Sequence, residues 1–176
     1  MITSNLKKIL FGFIYNPSGN GGANNFNLPT TSPNLVNTDG VTLSRANYAA
    51  NYHMYDLINT LSFAGNDSTS NTVYMTVGTG TTEPTEDDYN LETPNEDITI
   101  STATQGVKSD YSGKVYTFTL YNSTSDDITI TEIGLIGILT KWNTGHDHIM
   151  FDRTVLDTPI TIPAGESKPI TYEIGF

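Results

Sequence analysis

The chain has 176 residues, with 19 acidic side chains against 8 basic ones, a net charge of −11 and no cysteine. Charge of that sign repels phosphate backbones and anionic bilayers, so neither nucleic acid nor a membrane is expected as a partner. The missing thiols exclude disulfides, thiol nucleophiles and zinc sites of the cysteine type. Hydrophobic residues make up only 36%, and Thr, Asn, Ser and Gly fill much of the rest, which suits a β-rich domain with polar outward faces.

Near the N-terminus, Lys7-Lys8 precedes the apolar run Ile9 to Tyr15. The pattern superficially resembles a signal peptide, but the run is short and leads into the turn Asn16-Pro17-Ser18-Gly19 instead of a small-residue cleavage site. It is also far below the roughly 20 residues that cross a bilayer. A strand or short helix docked in the fold or on a neighbour is expected. Asn16 to Asp39 is rich in Asn, Gly, Pro, Ser and Thr, and Gly19-Asn20-Gly21-Gly22 lacks the downstream Gly-Lys-Ser/Thr of a phosphate loop. So long an irregular stretch is unusual inside a compact domain and reads as an arm laid across another subunit or a mobile surface loop.

Ser44 to Ser62 has the pattern of an amphipathic helix. Ala50, Met54, Leu57, Ile58 and Leu61 share one face of a 3.6-residue period, and Ser44 is a suitable cap. From Val73 onward the period becomes two. Met75 and Val77 alternate with polar neighbours until Gly78-Thr79-Gly80 interrupts them, and Thr85-Glu86-Asp87-Asp88 has the look of a helix N-terminus. Ile98 and Ile100 start another strand. Lys114 to Asn122 follows, with Tyr116, Phe118 and Leu120 on one face.

Ile128 to Ile136 is expected to be a central strand. Its apolar phase slips from Ile128 and Ile130 to Ile133 and Leu135, which requires a bulge at Thr131-Glu132, and Gly134 leaves room for another backbone. The turn cluster Asn122 to Asp127 predicts a hairpin between this strand and the one before it. Ile149 to Val155, Pro159 to Ile162 and Ile170 to Ile174 complete the set, with a tight connection at Pro163 to Ser167. Residues 1–43 are thus read as an N-terminal arm and 44–176 as an antiparallel β-sandwich that includes the helix 44–62.

No motif in the chain marks a catalytic, cofactor-binding or metal residue. His146-Asp147-His148 puts two histidines on one side of a strand, but Gly145 before them marks a hairpin loop where such residues are ordinary. Seven acids between Glu83 and Asp97, with no base among them, lack the spacing of a calcium loop and read as a solvated stretch. Asn66-Asp67-Ser68 and Asn122-Ser123-Thr124 match the glycosylation sequon, and Trp142 is a candidate sugar-stacking ring.

Three stretches in order carry a resemblance. They are Val77-Gly78-Thr79-Gly80-Thr81-Thr82-Glu83-Pro84-Thr85, then Ile130-Thr131-Glu132-Ile133-Gly134-Leu135, then Arg153 through Glu166 with its Pro163-Ala164-Gly165 turn. Together they make the region from Val73 to Ile174 similar to the attachment domain of tail-collar and tail-fibre proteins of tailed bacteriophages. The resemblance implies a non-catalytic virion component that docks on other virion proteins, and a homo-oligomer is expected. The fibre proteins continue into a long repetitive shaft that is not seen here, which points to a collar, connector, baseplate or head-decoration subunit. The alternative is a module that binds host-surface glycans through exposed Tyr residues and Trp142.

Overall fold

The computed structural model describes residues 1–7, 35–43, 73–107, 113–141 and 145–175. The expected helix Ser44 to Ser62, the run Ile9 to Tyr15, Trp142 and the sequon at Asn66 lie outside them, as does the side chain of His146.

Among the described residues, the period-two stretches become eight strands. These are β1 Leu35–Val36, β2 Thr42–Leu43, β3 Val73–Gly78, β4 Ile98–Val107, β5 Gly113–Asn122, β6 Ile128–Lys141, β7 Gly145–Ile162 and β8 Ser167–Gly175. They pair antiparallel into the ribbon β1–β2 and two three-stranded sheets, β3–β6–β7 and β4–β5–β8. The fold is mainly β and sandwich-like. Met75, Val77, Ile133, Leu135 and Ile149 of one large sheet meet Ile98, Tyr116, Phe118, Leu120 and Ile170 of the other in a common core. Each such side chain taken from water contributes roughly 1.5–3 kcal/mol.

β6 is the central strand of its sheet, as the alternation predicts. Its pairing with β7 shifts between Ile130 and Glu132, where the slipped phase demands a bulge. Ile130 faces Ile160 and Glu132 faces Val155, so residues 156–159 of β7 loop out opposite Thr131. Pro159, which has no amide proton to give a ladder, falls in that bulge. What reads in sequence as two strands is therefore one long bent strand.

Two expectations are corrected. β5 and β6 do not form a hairpin: β5 pairs with β4 and β8, whereas β6 pairs with β3 and β7. The turn cluster after Asn122 instead carries the chain from one sheet to the other. The Pro163 to Ser167 connection does the same between β7 and β8, with Gly165 at φ 70°. The second correction concerns Thr85 to Asp88, which forms a turn and no helix. The Asp88 carboxylate reaches back to accept from the Thr85 amide at 3.0 Å and hydroxyl at 2.7 Å, closing the turn on itself.

Residues 1–7 pack against the sheets. Ile2 bridges Asp152 on the outer edge of β7, and the Thr3 amide donates to the Phe151 carbonyl at 3.0 Å. Residues 4–7 make one helical turn, and Leu6 enters the common core together with Leu35 and Leu43. Both ends of the expected arm are thus anchored in the domain.

Candidate functional site

The outer face of the β3–β6–β7 sheet is covered by the loop that joins β3 to β4, residues 79–97. The loop starts along the β3 edge, where the Thr79 amide donates to the Thr93 carbonyl and the Asn95 amide to the Val77 carbonyl, both at 2.9 Å. It is pegged in the middle by Leu91, which is buried against Ile136 and Met150. Gly134 makes the peg possible. A Cβ there would stand 2.9 Å from Leu91 Cδ2 and 3.1 Å from Met150 Cε, so side chains, not the expected backbone, fill the space it leaves.

Beside the peg lies a buried ionic cluster. Glu132 on β6 is fully buried, and its carboxylate has every acceptor position filled. Oε1 accepts from the amides of Gly80 at 3.0 Å and Thr93 at 2.8 Å. Oε2 accepts from the Glu92 amide at 3.1 Å and Arg153 Nε at 2.8 Å. Arg153 on β7 spends its remaining donors on the same loop, with Nη1 on Asp88 at 2.7 Å and Nη2 on the Thr82 carbonyl at 3.1 Å. Glu92 stands 3.5 Å from Nη2 and accepts from the Thr81 and Thr82 amides and the Thr82 hydroxyl. Seven acids without a neighbouring base in sequence thus acquire one from a strand some sixty residues on, and the loop is organised around it.

The glycines complete the arrangement. A Cβ at Gly78 would lie 2.5 Å from both Glu132 Oε1 and the Thr93 carbonyl, and one at Gly80 would lie 2.6 Å from Glu132 Oε1 and 2.5 Å from Glu92 Cβ. Gly-Thr-Gly is therefore the mould of the Glu132 carboxylate. A Gly80→Ala variant should lose about 1–3 kcal/mol through overpacking. Urea unfolding would read it, and an unchanged midpoint would refute the mould.

The cluster also sets titration. Burial opposes ionisation of Asp88, yet the hydrogen bonds from Arg153 and Thr85 and the guanidinium charge outweigh it and hold the carboxyl below its ordinary 3.8. Glu92 is held below its ordinary 4.5, chiefly by the Thr82 hydroxyl and amide. Desolvation works against the Arg153 charge, and its bonds to Asp88 and Glu132 more than restore it, so its pKa is raised. Carboxyls lowered on folding contribute stability that is complete above their unfolded values and is lost as pH falls through the folded ones. The unfolding midpoint should therefore stay flat above about pH 5 and fall steadily below about pH 4. An acid slope as steep in an Arg153→Met variant as in the parent would contradict this origin.

Between the loop and the turn at residues 37–40 lies an open recess of about 610 Å³, lined by Thr38, Asp39, Asp87, Asp88, Tyr89 and Glu92 with Arg153 at its floor. Asn90 ties the two walls by donating to the Thr38 carbonyl at 3.1 Å. Tyr89 lies against Gly40 and stays 45% exposed, so one aromatic ring is accessible among carboxylates. Glu132 has its acceptor positions filled, and Arg153 is tied to Glu132, Asp88 and the Thr82 carbonyl, so both hold the loop. The groups left to meet a ligand are Asp39, Asp87 and Tyr89 on the rim.

Among the described residues, the sequence candidates His148, Asp147 and Asn122 do not line this recess. His148 Nδ1 contacts the Tyr74 hydroxyl at 2.7 Å, and Asp147 is buried in the strand. Among the described residues no three His, Asp or Glu side chains converge as a metal site. Asn122 is fully buried, and its side-chain amide donates to the carbonyls of Asp126 at 2.8 Å and Ile162 at 3.0 Å. In that position it is a structural pin, not a glycan acceptor. Another buried carboxylate, Asp152, accepts from the Tyr172 hydroxyl. Desolvation and the Asp152 charge together drive the Tyr172 pKa upward.

Compared with protein families, with curated proteins and with solved structures, the chain matches none of them.

Proposed function

We propose that the chain is a non-catalytic assembly subunit of a tailed-phage virion, at a collar, connector, baseplate or head-decoration position, working as a homo-oligomer against other virion proteins. In this reading the domain is an antiparallel β-sandwich with an amphipathic helix at Ser44 to Ser62. The N-terminal arm of this reading, residues 1–43, is held to the core near both its ends, through Leu6 and through Leu35 and Leu43.

One observation supports the reading above others. The three stretches that carry the resemblance contribute to one contiguous unit: Gly78 and Gly80 mould the carboxylate of Glu132, and Glu132 holds Arg153. A shared building block would require motifs that fit one another physically in this way. The test is mass spectrometry of particles banded on a density gradient from the lysed source culture. The chain should band with the particles in fixed ratio to their main protein. Recovery only from the soluble fraction would refute the proposal.

A second reading, a host-glycan module, draws on the accessible Tyr89 ring beside Asp87 in the recess. It expects selective signals on a glycan array that disappear in a Tyr89→Ala variant. A blank array removes it.

A further inference from the structure

We propose that residues 1–7 are an exchangeable strap, and that in the assembled protein the strap of one copy seats on the β7 edge of a second copy. This rests on the assembly reading and names how the copies are joined. The seat is a built one. Ile2 bridges Asp152, the Thr3 hydroxyl donates to the Met150 carbonyl at 2.7 Å, and Lys7 pairs with Glu86. Thr3, Asn5 and Leu6 are all buried there.

The path back into the domain is what makes exchange possible. Asn5 grips Val36 through both halves of its side-chain amide, at 2.9 and 3.1 Å, so the chain departs at Lys7 and returns at Leu35 close by. Connections between such neighbouring points commonly take 2–6 residues. Here the numbering puts 27 residues, 8–34, between them. At full extension that length spans up to about 90 Å, ample for an equivalent seat on an adjoining copy.

Exchange requires no new chemistry, because every strap contact with β7, Val36 and Glu86 is remade between copies. The closed and exchanged forms then differ mainly in how the connection is closed, a cost that changes slowly with its length. Gathering copies in a ring or particle raises their local concentration and favours exchange. Charge does not oppose the transfer: the strap carries Lys7 and no acid, and it lands beside Glu86 in a chain of net charge −11.

The absence of cysteine makes the test direct. A full-length Lys7→Cys/Glu86→Cys variant, joined by a short bis-maleimide, reports which copy holds the strap, and Ser4→Cys/Glu86→Cys is the second pair. Lys7 and Glu86 are both exposed, so the fold should tolerate the change. In the oligomeric fraction from size exclusion, exchange predicts covalent dimers and larger species on a denaturing gel, increasing with protein concentration. Mixing refolded Lys7→Cys copies with Glu86→Cys copies should give the same dimers. Cross-linked monomer alone, for both pairs and at every soluble concentration, overturns the proposal. A chain that enters particles yet cross-links only within itself rejects exchange and leaves the assembly reading standing. Dimers from a chain absent from particles reject the assembly reading alone.

Discussion

Replacing Arg153 by methionine should cost about 3–5 kcal/mol, the usual loss when one partner of a buried ion pair is removed and the other is left behind. Glu132 would keep three backbone amides but lose its only cation, at a position with no exposure. Asp88 and Glu92 would face each other and Glu132 without the guanidinium between them. Urea unfolding reads the loss, and hydrogen exchange should find it concentrated in residues 79–97. A double-mutant cycle with Glu132→Gln separates pairing from packing: the Arg153→Met loss should shrink markedly in that background. Full additivity would show that the two groups are neighbours without being coupled. The double variant should not recover parent stability, because an amide nitrogen in place of one carboxylate oxygen meets N–H donors on either orientation.

Leu6→Ala should destabilise by about 2–5 kcal/mol, the range for truncating a buried leucine. Leu6 is 4% exposed and sits in the same core as Leu35 and Phe118. This result would count against reading residues 1–43 as an arm separate from the sandwich. A truncation beginning at Val73 should lose Leu6, Leu35 and Leu43 together and fail to give a cooperative unfolding transition. Loss of less than a tenth of the parent midpoint in Leu6→Ala would instead restore the picture of a detachable arm.

The alternation of Tyr116, Phe118 and Leu120 is legible from the residues alone, because a half-buried strand has a fixed period of two. So is the bulge beside Thr131, since a slipped apolar phase leaves no regular pairing that keeps both halves inward. Pairing partners are not legible. Asn122-Ser123-Thr124-Ser125-Asp126-Asp127 turns the chain equally well into a hairpin or into a crossing between sheets, and only the long-range fit of β5 with β8 decides. The ionic cluster escapes for the same reason. Asp88 and Arg153 are 65 residues apart, so the loop acids look solvated until the sheet brings the arginine beneath them. The available signal was the arginine itself, standing just after the apolar run Ile149-Met150-Phe151, where a buried charge needs a partner.

The two crossings between the sheets have a bearing on synthesis. The Asn122 side chain donates to the Ile162 carbonyl at 3.0 Å and its backbone amide to the Glu166 carbonyl at 3.0 Å, so the first crossing is tied to residues at the start of the second and within it, some forty positions on. β8 leaves the ribosome well after β5, and until then β5 waits with one of its flanks bare. Slow, late closure of this kind leaves nascent chains sticky. Yield in recombinant expression should accordingly rise when translation is cooled or a chaperone is supplied, and fall sharply when β8, Ser167–Gly175, is deleted.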